Sequence, residues 1–299
     1  ILHVMPEASN NLVLRSLCDS NYKGPLRKNA INIRIDNRTL HALHHRLFAD
    51  CDLVSQGLQP IIAGARGCHQ DQVVPVTSLP QDHSLQDIIF SRLLFMFVHL
   101  ICIFADDVGG LHGVRDVLSN WVRIGSASSL PHSIRPRVII VTTTTTQSVT
   151  QDVLDETYLL FDIRSTEPEF LRAFSDIRFC RLPSAELSSD ARFLSHSADI
   201  SRQLHDTRFT RIKHKFMFSA THLSDLFNLA TREICFSPLR EFDFVAATRQ
   251  QNPLDGAFSS HLIDFLRLSG KATIPYDGII SHIASAILMD AYLPGMYCT

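Results

Sequence analysis

Two patterns of hydrophobic residues follow one another along this chain, and they change near residue 188. Before it, short apolar runs alternate with helical stretches, and several runs are apolar throughout, as in strands buried on both faces. The predicted strands are Ile1–Val4, Ile31–Ile35, Arg46–Ala49, Leu100–Phe104, Val138–Thr142 and Ile177–Leu182. The predicted helices are Asn11–Asp19, Ser84–Phe97, Gly113–Ile124 and Gln151–Leu159. This alternation predicts an α/β domain with a mostly parallel, doubly wound sheet.

Helical periodicity dominates the second part of the chain. The predicted helices there are Asp190–Leu204, Thr221–Cys235, Ser259–Leu268 and Ile279–Tyr292. Gly270 stands where the third of these is expected to stop. We therefore predict an α/β domain over residues 1–187 and a helical extension over residues 188–299 that packs on it. Within the domain, residues 53–83 are rich in glycine and proline, which predicts a long loop insertion.

Both ends of the sequence look cut rather than like the ends of a domain. Ile1 lies inside a predicted strand, and the closing residues MYCT form no evident domain terminus. We expect the chain to be a piece of a longer protein.

Composition and charge narrow the class of protein. The 299 residues are 45% hydrophobic and 19% charged, which is typical of a globular protein. The net charge of −2 provides no basic field for nucleic acid. Seven scattered cysteines without a CxxC pair favour reduced thiols and a cytoplasmic location. The most apolar run, Leu93–Ala105, is too short to span a bilayer, so no transmembrane segment is expected.

The opening stretch ILHVMPEASNNLVLRSLC has the order of a phosphate-binding unit: a strand, a polar loop and a helix-like run. The candidate loop comprises Met5, Pro6, Glu7, Ala8, Ser9, Asn10, Asn11 and Leu12. On the pattern G-x-x-x-x-G-K-[ST], Met5 and Asn10 replace the glycines. Asn11 replaces the lysine, and Leu12 replaces the hydroxyl that would bind Mg²⁺. Glu7 adds a carboxylate that would repel phosphate, so the loop has the position of a phosphate loop without its chemistry.

A carboxylate that holds the metal is expected at the end of a later strand. The run LFADCDL, residues 47–53, supplies Asp50 and Asp52 there. Asp50 is the candidate for holding Mg²⁺ through water, and the two acids together could bind a cation directly. Leu53 stands where a glycine would meet the γ-phosphate. The alternative is that both aspartates only cap the loop after the strand.

The third position of a nucleotide site reads the base, usually with the sequence Asn-Lys-x-Asp. Here the apolar run of residues 137–141 continues into threonines. The residues at the base-reading position are Thr142, Thr143, Thr144 and Thr145. A threonine hydroxyl cannot make the bidentate contact that an aspartate makes to guanine. The β-branched threonines are instead predicted to extend the strand and then turn.

Several blocks of sequence carry a resemblance to a known family. In order, they are LFADCD, DIIFSRLLFMFVHLICIFADDVGGLHGV, RPRVIIVTT and FSATHLSDLF, with ATRQQNPL and AILMDAYLPGMY following. The chain resembles the degenerate GTPase-like region of large fungal multidomain proteins. The resemblance implies a three-layer α/β fold of P-loop NTPase, G-domain-like type with a helical C-terminal extension. Of that family's functional positions only Asp50 is matched.

The resemblance also bears on lipid chemistry, since some relatives carry a patatin-like phospholipase domain downstream. A nucleophile elbow needs the pattern G-x-S-x-G. The only glycines with that spacing are Gly109 and Gly113, and Leu111 stands between them instead of a serine. This chain therefore lacks the elbow of such a domain.

The simultaneous loss of the glycines, the lysine, the hydroxyl and the base-reading acid favours a pseudo-GTPase. We expect a non-hydrolysing interaction or regulatory module that contacts a protein partner or flanking domains and needs no GTP or Mg²⁺. One alternative is a divergent Mg-dependent GTP- or ATP-binding NTPase that uses Asp50, with Lys23 or Lys28 replacing the lost lysine. Others are the N-terminal part of a patatin-like phospholipase protein without its catalytic domain, or a decayed gene fragment.

Three further groups of residues remain. Asp106 and Asp107 precede Gly109 and Gly110 after a strand; they suggest a turn with helix-capping acids or, alternatively, a ligand site. A zinc hypothesis rests on His41, His44, His45, Cys68 and His69, although their spacing matches no structural zinc pattern. The local basic stretch is predicted to be a solvated face; it consists of Arg202, Arg208, Arg211, Lys213 and Lys215.

Overall fold

The computed structural model describes most of the chain and shows a mixed α/β protein. The residues described are 2–4, 31–42, 44–51, 74–77, 79–143, 149–166, 169–183, 187–214, 216–244, 246–247, 253–272 and 274–291. The strands are β1 (Leu2–Val4), β2 (Asn32–Ile35), β3 (Leu47–Cys51), β4 (Leu100–Phe104), β5 (Arg137–Thr143) and β6 (Asp176–Leu182). All six strands predicted from the sequence are confirmed, with ends that differ by no more than two residues.

The helices are named in chain order. The first, α1, has three segments, which are α-helical (Leu85–Ile88), π-helical (Ile89–Leu94) and α-helical (Phe95–Phe97). The others are α2 (Gly110–Ile124), α3 (Val149–Thr166), α4 (Phe170–Ala173), α5 (Ser189–Lys213), α6 (Ala220–Phe236), α7 (Phe258–Lys271) and α8 (Tyr276–Ala291). The predicted helix Asn11–Asp19 lies outside the described residues.

The described strands form one sheet in the order β2-β3-β1-β4-β5-β6. All neighbours are parallel except β2 and β3, which are antiparallel. The shortest strand, β1, lies in the interior of the sheet, where Leu2 is in register with Ala49 of β3 and with Ile101 of β4. The sheet is thus mostly parallel, as predicted.

Helices cover both faces of the sheet, and the residues of β4 show why its sequence is apolar throughout. Ile101 and Ile103 join one apolar cluster with helices α1 to α4, whereas Leu100 and Cys102 join another with α5. All five residues of the strand are buried. Successive side chains of a strand point to opposite faces, so a strand covered on both sides needs no polar positions.

The larger cluster is built around Trp121, the only tryptophan of the chain. Its ring centroid lies 5.8 Å from that of Phe90 and 5.1 Å from that of Phe95, the latter in an edge-to-face arrangement. Such aromatic pairs add roughly 0.5–1.5 kcal/mol each to the effect of area burial. Helices α1 and α2 are therefore held together by large rings in the middle of this layer.

The first helix of the predicted extension, α5, packs directly on the sheet. Ser188 caps its N-terminus by accepting a hydrogen bond from the backbone N–H of Ala191. Phe193 and Ile200 then join the cluster on this face of the sheet. The helix runs to Lys213, beyond the predicted end at residue 204. Among the described residues, the helix that packs on this face thus comes from beyond residue 188.

A third apolar cluster lies between α1 and α6. It contains Ile88 and Met96 of α1, Leu226 and Ile234 of α6, and Phe242 from the segment that follows. Helix α6 thus adds a layer of its own outside α1, without contacting the sheet through this cluster.

The π-helical segment of α1 carries a buried arginine that ties loops together. The guanidinium of Arg92 donates hydrogen bonds to the backbone carbonyls of Ser126, after α2, and Leu239, after α6. Burial lowers the pKa of Arg92. A buried guanidinium is stabilised when fixed acceptors surround it, and here the acceptors come from two separate loops.

Helices α7 and α8 form an antiparallel hairpin. The rings of Phe265 and His282 stack with their centroids 4.6 Å apart. The prediction that α7 stops before Gly270 is wrong, because the helix includes Gly270 and ends at Lys271, with Ala272 as its C-terminal cap. Glycine costs an exposed helix only about 1 kcal/mol relative to alanine, so it can be accommodated in a last turn.

None of the helices in the described ranges combines the length and the apolar composition needed to cross a bilayer. Cys102, Cys180 and Cys235 are buried and carry free thiols. A buried free cysteine behaves as a small hydrophobic residue of the core.

Candidate functional site

The order of the strands singles out one edge of the sheet. From β1 the chain continues to β2 and β3 on one side, and β4 then lies on the other side of β1. In open α/β sheets, ligands bind outside the carboxyl ends of the strands at such a reversal. The register places the ends of three strands together there, at Val4, Cys51 and Ile103 or the residue after it.

The candidate phosphate loop follows Val4 and therefore leaves the sheet at this reversal. Residues 5–12, from Met5 to Leu12, lie outside the described residues. What the structure supplies is the anchor of the loop, since Val4 is paired with Cys51 on one side and Ile103 on the other.

The candidate metal-binding acid Asp50 lies within β3. Its backbone is in register with His3 of β1 and with Asn32 of β2. The strand continues to Cys51, two residues beyond its predicted end, because β2 extends the ladder to Asp50 and β1 extends it to Cys51. Asp52 lies outside the described residues. The backbone of Asp50 is thus adjacent to the strand that leads into the candidate phosphate loop.

Asp106 and Asp107 form a tight turn after β4. They belong to a 3-10 turn, Ala105–Val108, which is followed by Gly109 with φ of 92° and Gly110 with φ of 77°. The predicted turn is confirmed. The N-cap residue of α2 is Gly109, so neither acid occupies the N-cap position itself.

Two of the candidate base-reading threonines are strand residues. Thr142 and Thr143 are in register with Arg181 and Leu182 of β6. The prediction that these threonines extend the strand is confirmed, since β5 ends at Thr143. Thr144 and Thr145, in the same group, lie outside the described residues.

A basic side chain reaches the same edge, and sequence reasoning did not identify it. Arg192 of α5 donates through Nε to the carbonyl of Pro183 at 3.2 Å, and through Nη2 to Oγ1 of Thr143 at 3.5 Å. Its only signal in the sequence is its place four residues after the capping Ser188. Arg192 thus joins the ends of β5 and β6 and brings a positive charge to the edge.

The described residues contain no cluster of metal-binding side chains that would support the zinc hypothesis. No three His, Cys, Asp or Glu side chains lie close enough to hold a metal ion, as far as the described residues go. His44 and His45 are exposed, and Nδ1 of His45 lies 2.9 Å from the carbonyl of Thr39. Burial and the charge of Arg208 lower the pKa of His44. Cys68 and His69 lie outside the described ranges.

A cysteine and a histidine meet in the core on the α5 side of the sheet. Sγ of Cys180 lies 3.4 Å from Nδ1 of His196, and the imidazole packs edge-on against Phe104. Burial raises the pKa of Cys180 to about 12, and burial lowers the pKa of His196 to about 4, although Asp199 opposes the latter effect. Both groups are neutral at pH 7. A thiolate nucleophile does not form here, so the pair belongs to the core.

The basic stretch is not a continuous solvated face, contrary to the prediction. Arg211 is 4% exposed and donates to the carbonyls of Ile134 at 3.2 Å and Val98 at 2.8 Å. Burial lowers its pKa to about 10. Arg202 is exposed, and Lys215 lies outside the described residues. The buried guanidinium of Arg211 satisfies two backbone acceptors and is part of the core.

No family model matches this chain, and no curated protein matches it significantly.

Proposed function

We propose that the chain is a non-hydrolysing pseudo-GTPase: a P-loop NTPase-like, G-domain-like module that serves as an interaction or regulatory part of a larger cytoplasmic protein. Its ligand would be a protein partner or a flanking domain rather than GTP with Mg²⁺. Membership of the degenerate GTPase-like region of large fungal proteins is part of this proposal.

The interior position of β1 carries the proposal. A nucleotide-binding domain of this type needs its first strand next to the reversal of strand order, so that the following loop can reach a phosphate. The sheet order supports such an arrangement, with the antiparallel β2 at one edge. The loop at that place has Asn11 instead of lysine and Leu12 instead of a hydroxyl residue.

The end of β5 supports the same interpretation. Thr142 and Thr143 stand where a base-reading motif would begin, and both still pair with β6. Arg192 contacts Thr143 here, so a guanidinium lies near the position where a base-reading aspartate would be expected. These residues lack the carboxylate that selects guanine.

Calorimetric titration of the full chain tests the proposal directly. GTP, GDP and ATP, each with Mg²⁺, are expected to give no heat of binding, because neither the cation nor the glycines of a phosphate loop are present. A catalytically intact small GTPase in the same buffer serves as the positive control. A dissociation constant in the micromolar range for any of the three nucleotides would overturn the proposal.

The competing hypothesis, a divergent Mg-dependent NTPase that uses Asp50, is favoured by the register of Asp50 with His3 of β1. That hypothesis requires turnover above buffer that disappears in Asp50→Asn. The matched control is Asp116→Asn, which removes an exposed acid of α2. Under the pseudo-GTPase proposal, phosphate release by the unsubstituted chain and by both variants equals that of buffer.

A further inference from the structure

A group of basic side chains lies at the edge of the sheet where β4 and β5 begin, opposite the edge of the candidate nucleotide site. Arg211 of α5 donates to the carbonyl of Val98 at 2.8 Å, and His99 is the next residue of the chain. Arg137 donates its backbone N–H to the carbonyl of His99 at 3.0 Å, and its guanidinium donates to Gln203 of α5. These bonds hold His99 beside the last turns of α5.

Arg208 lies on α5 between these two contacts, three residues before Arg211, and residues with that spacing are neighbours on a helix. Nε of Arg208 and Nε2 of His99 are both buried, and neither has a hydrogen-bond partner among the described residues. Buried polar atoms without a partner are rare in proteins. Burial, and then the charges of Arg211 and Arg208, lower the pKa of His99 well below its ordinary value. This agrees with both guanidiniums lying near the ring.

The carboxylates at this edge belong to another arginine. Asp176 lies 3.6 Å from Nε of Arg137, and Asp206 lies 3.9 Å from Nη1 of the same side chain. Within the described part of the chain, no acid forms an ion pair with Arg208 or Arg211. Arg211 is 4% exposed and Arg208 is half-buried. Positive charges removed from water without a counter-charge are costly, and a bound anion lowers that cost.

We propose that Arg208, Arg211 and His99 form a binding site for a doubly charged oxyanion such as phosphate. Guanidiniums donate strong, charge-assisted hydrogen bonds to phosphate oxygens. The neutral imidazole adds a further donor in the tautomer that is protonated at Nε2. A dianion balances both guanidiniums, whereas a single carboxylate balances only one. The site is separate from the candidate phosphate loop, which follows β1 at the other edge of the sheet.

Calorimetric titration of the full chain with sodium phosphate tests the proposal, with chloride adjusted to keep the ionic strength constant. At about pH 7.5 phosphate is mostly a dianion. Saturable binding is expected, with a dissociation constant of about 1 mM or below. Arg208→Gln is expected to raise the dissociation constant at least about tenfold. Arg208→Lys keeps the charge but loses the planar fork, so a smaller increase is expected.

The matched control removes the same charge elsewhere. Arg232→Gln changes an exposed residue of α6 and is expected to leave the dissociation constant unchanged. His99→Phe replaces the imidazole by a ring without a donor and is expected to weaken binding, which gives a second test should Arg208→Gln fail to fold. The emission of the buried Trp121 shows whether each variant is folded.

Two outcomes overturn the proposal. The first is the absence of saturable binding to the unsubstituted chain up to about 20 mM phosphate. The second is binding that neither Arg208→Gln nor His99→Phe weakens, because the anion would then lie at another site. Phosphate held by the candidate phosphate loop would give this second result, so the titration distinguishes the two edges of the sheet.

Discussion

The positions of buried polar side chains are what the sequence of this protein predicts least well. Arg211 and His196 both stand in an amphipathic helix, yet one guanidinium and one imidazole are turned into the core. Residue type predicts the reverse, since arginine and histidine are seldom fully buried. Only the tertiary structure supplies the carbonyls that satisfy Arg211, and these lie more than 70 residues away in the chain.

Burial of His196 makes the stability of the protein depend on pH. Its pKa is lowered to about 4 in the folded chain, mainly by burial, from 6.5 when unfolded. The unfolded state therefore binds more protons between these values, so the free energy of unfolding falls as pH decreases from 6.5 towards 4. Above pH 6.5 this group does not change the free energy of unfolding. Below pH 4 it lowers the free energy of unfolding by its full amount, about 3 kcal/mol.

Urea unfolding at pH 7, 6 and 5 measures this dependence. His196→Gln removes the ionisable ring and is expected to flatten the decline by up to about 1.4 kcal/mol per pH unit. Leu194→Gln introduces the same amide on the exposed side of α5 and is expected to leave the decline as it is. An equal decline in both variants would show that His196 does not titrate as described.

At the scale of elements, burial on both faces made the strands predictable and buried polar residues made the helix lengths unpredictable. Leu100–Phe104 was predicted to the residue because every position is apolar. By contrast, α5 extends nine residues past its predicted end because Thr207 and Arg211 continue its buried face. The periodicity of apolar residues does not reveal buried positions that are occupied by polar residues.

The junction between β4 and α2 depends on one close backbone approach. A Cβ atom on Gly113 would lie 1.6 Å from the carbonyl oxygen of Val108, within the turn that precedes the helix. Gly113→Ala is therefore expected to lower the free energy of unfolding by at least about 3 kcal/mol, since backbone has to move. Urea unfolding followed by the fluorescence of Trp121 measures the loss.

Gly270→Ala is the matched control for that substitution. Gly270 is also helical, but no atom lies within 4 Å of the position that an added methyl group would take. The change is expected to be neutral or to add up to about 1 kcal/mol of helix stability, seen by circular dichroism. If both alanine variants behaved alike, the contact with Val108 would not be the cause.

For the whole molecule, the sequence predicted which segments are strands and that most are parallel, but not their order. Nothing in the apolar run of β1 distinguishes an interior strand from an edge strand. The order depends on pairings between strands that lie far apart in the chain, such as those of Leu2 with Ala49 and with Ile101. The sequence predicted the candidate site only as a set of positions that follow strands. The contact of Arg192 with Thr143 depends on how α5 packs on the sheet, which the sequence did not show.

The interior place of β1 also has a consequence for how the chain folds. Leu2 faces Ile101, so the pairing of β1 with β4 closes a loop of nearly the first hundred residues. Pairings of such high sequence separation are slow, because loop-closure entropy is lost before the contact is gained. On a ribosome, β1 would emerge before the other described strands, and its pairing with β4 would have to wait until β4 had also emerged.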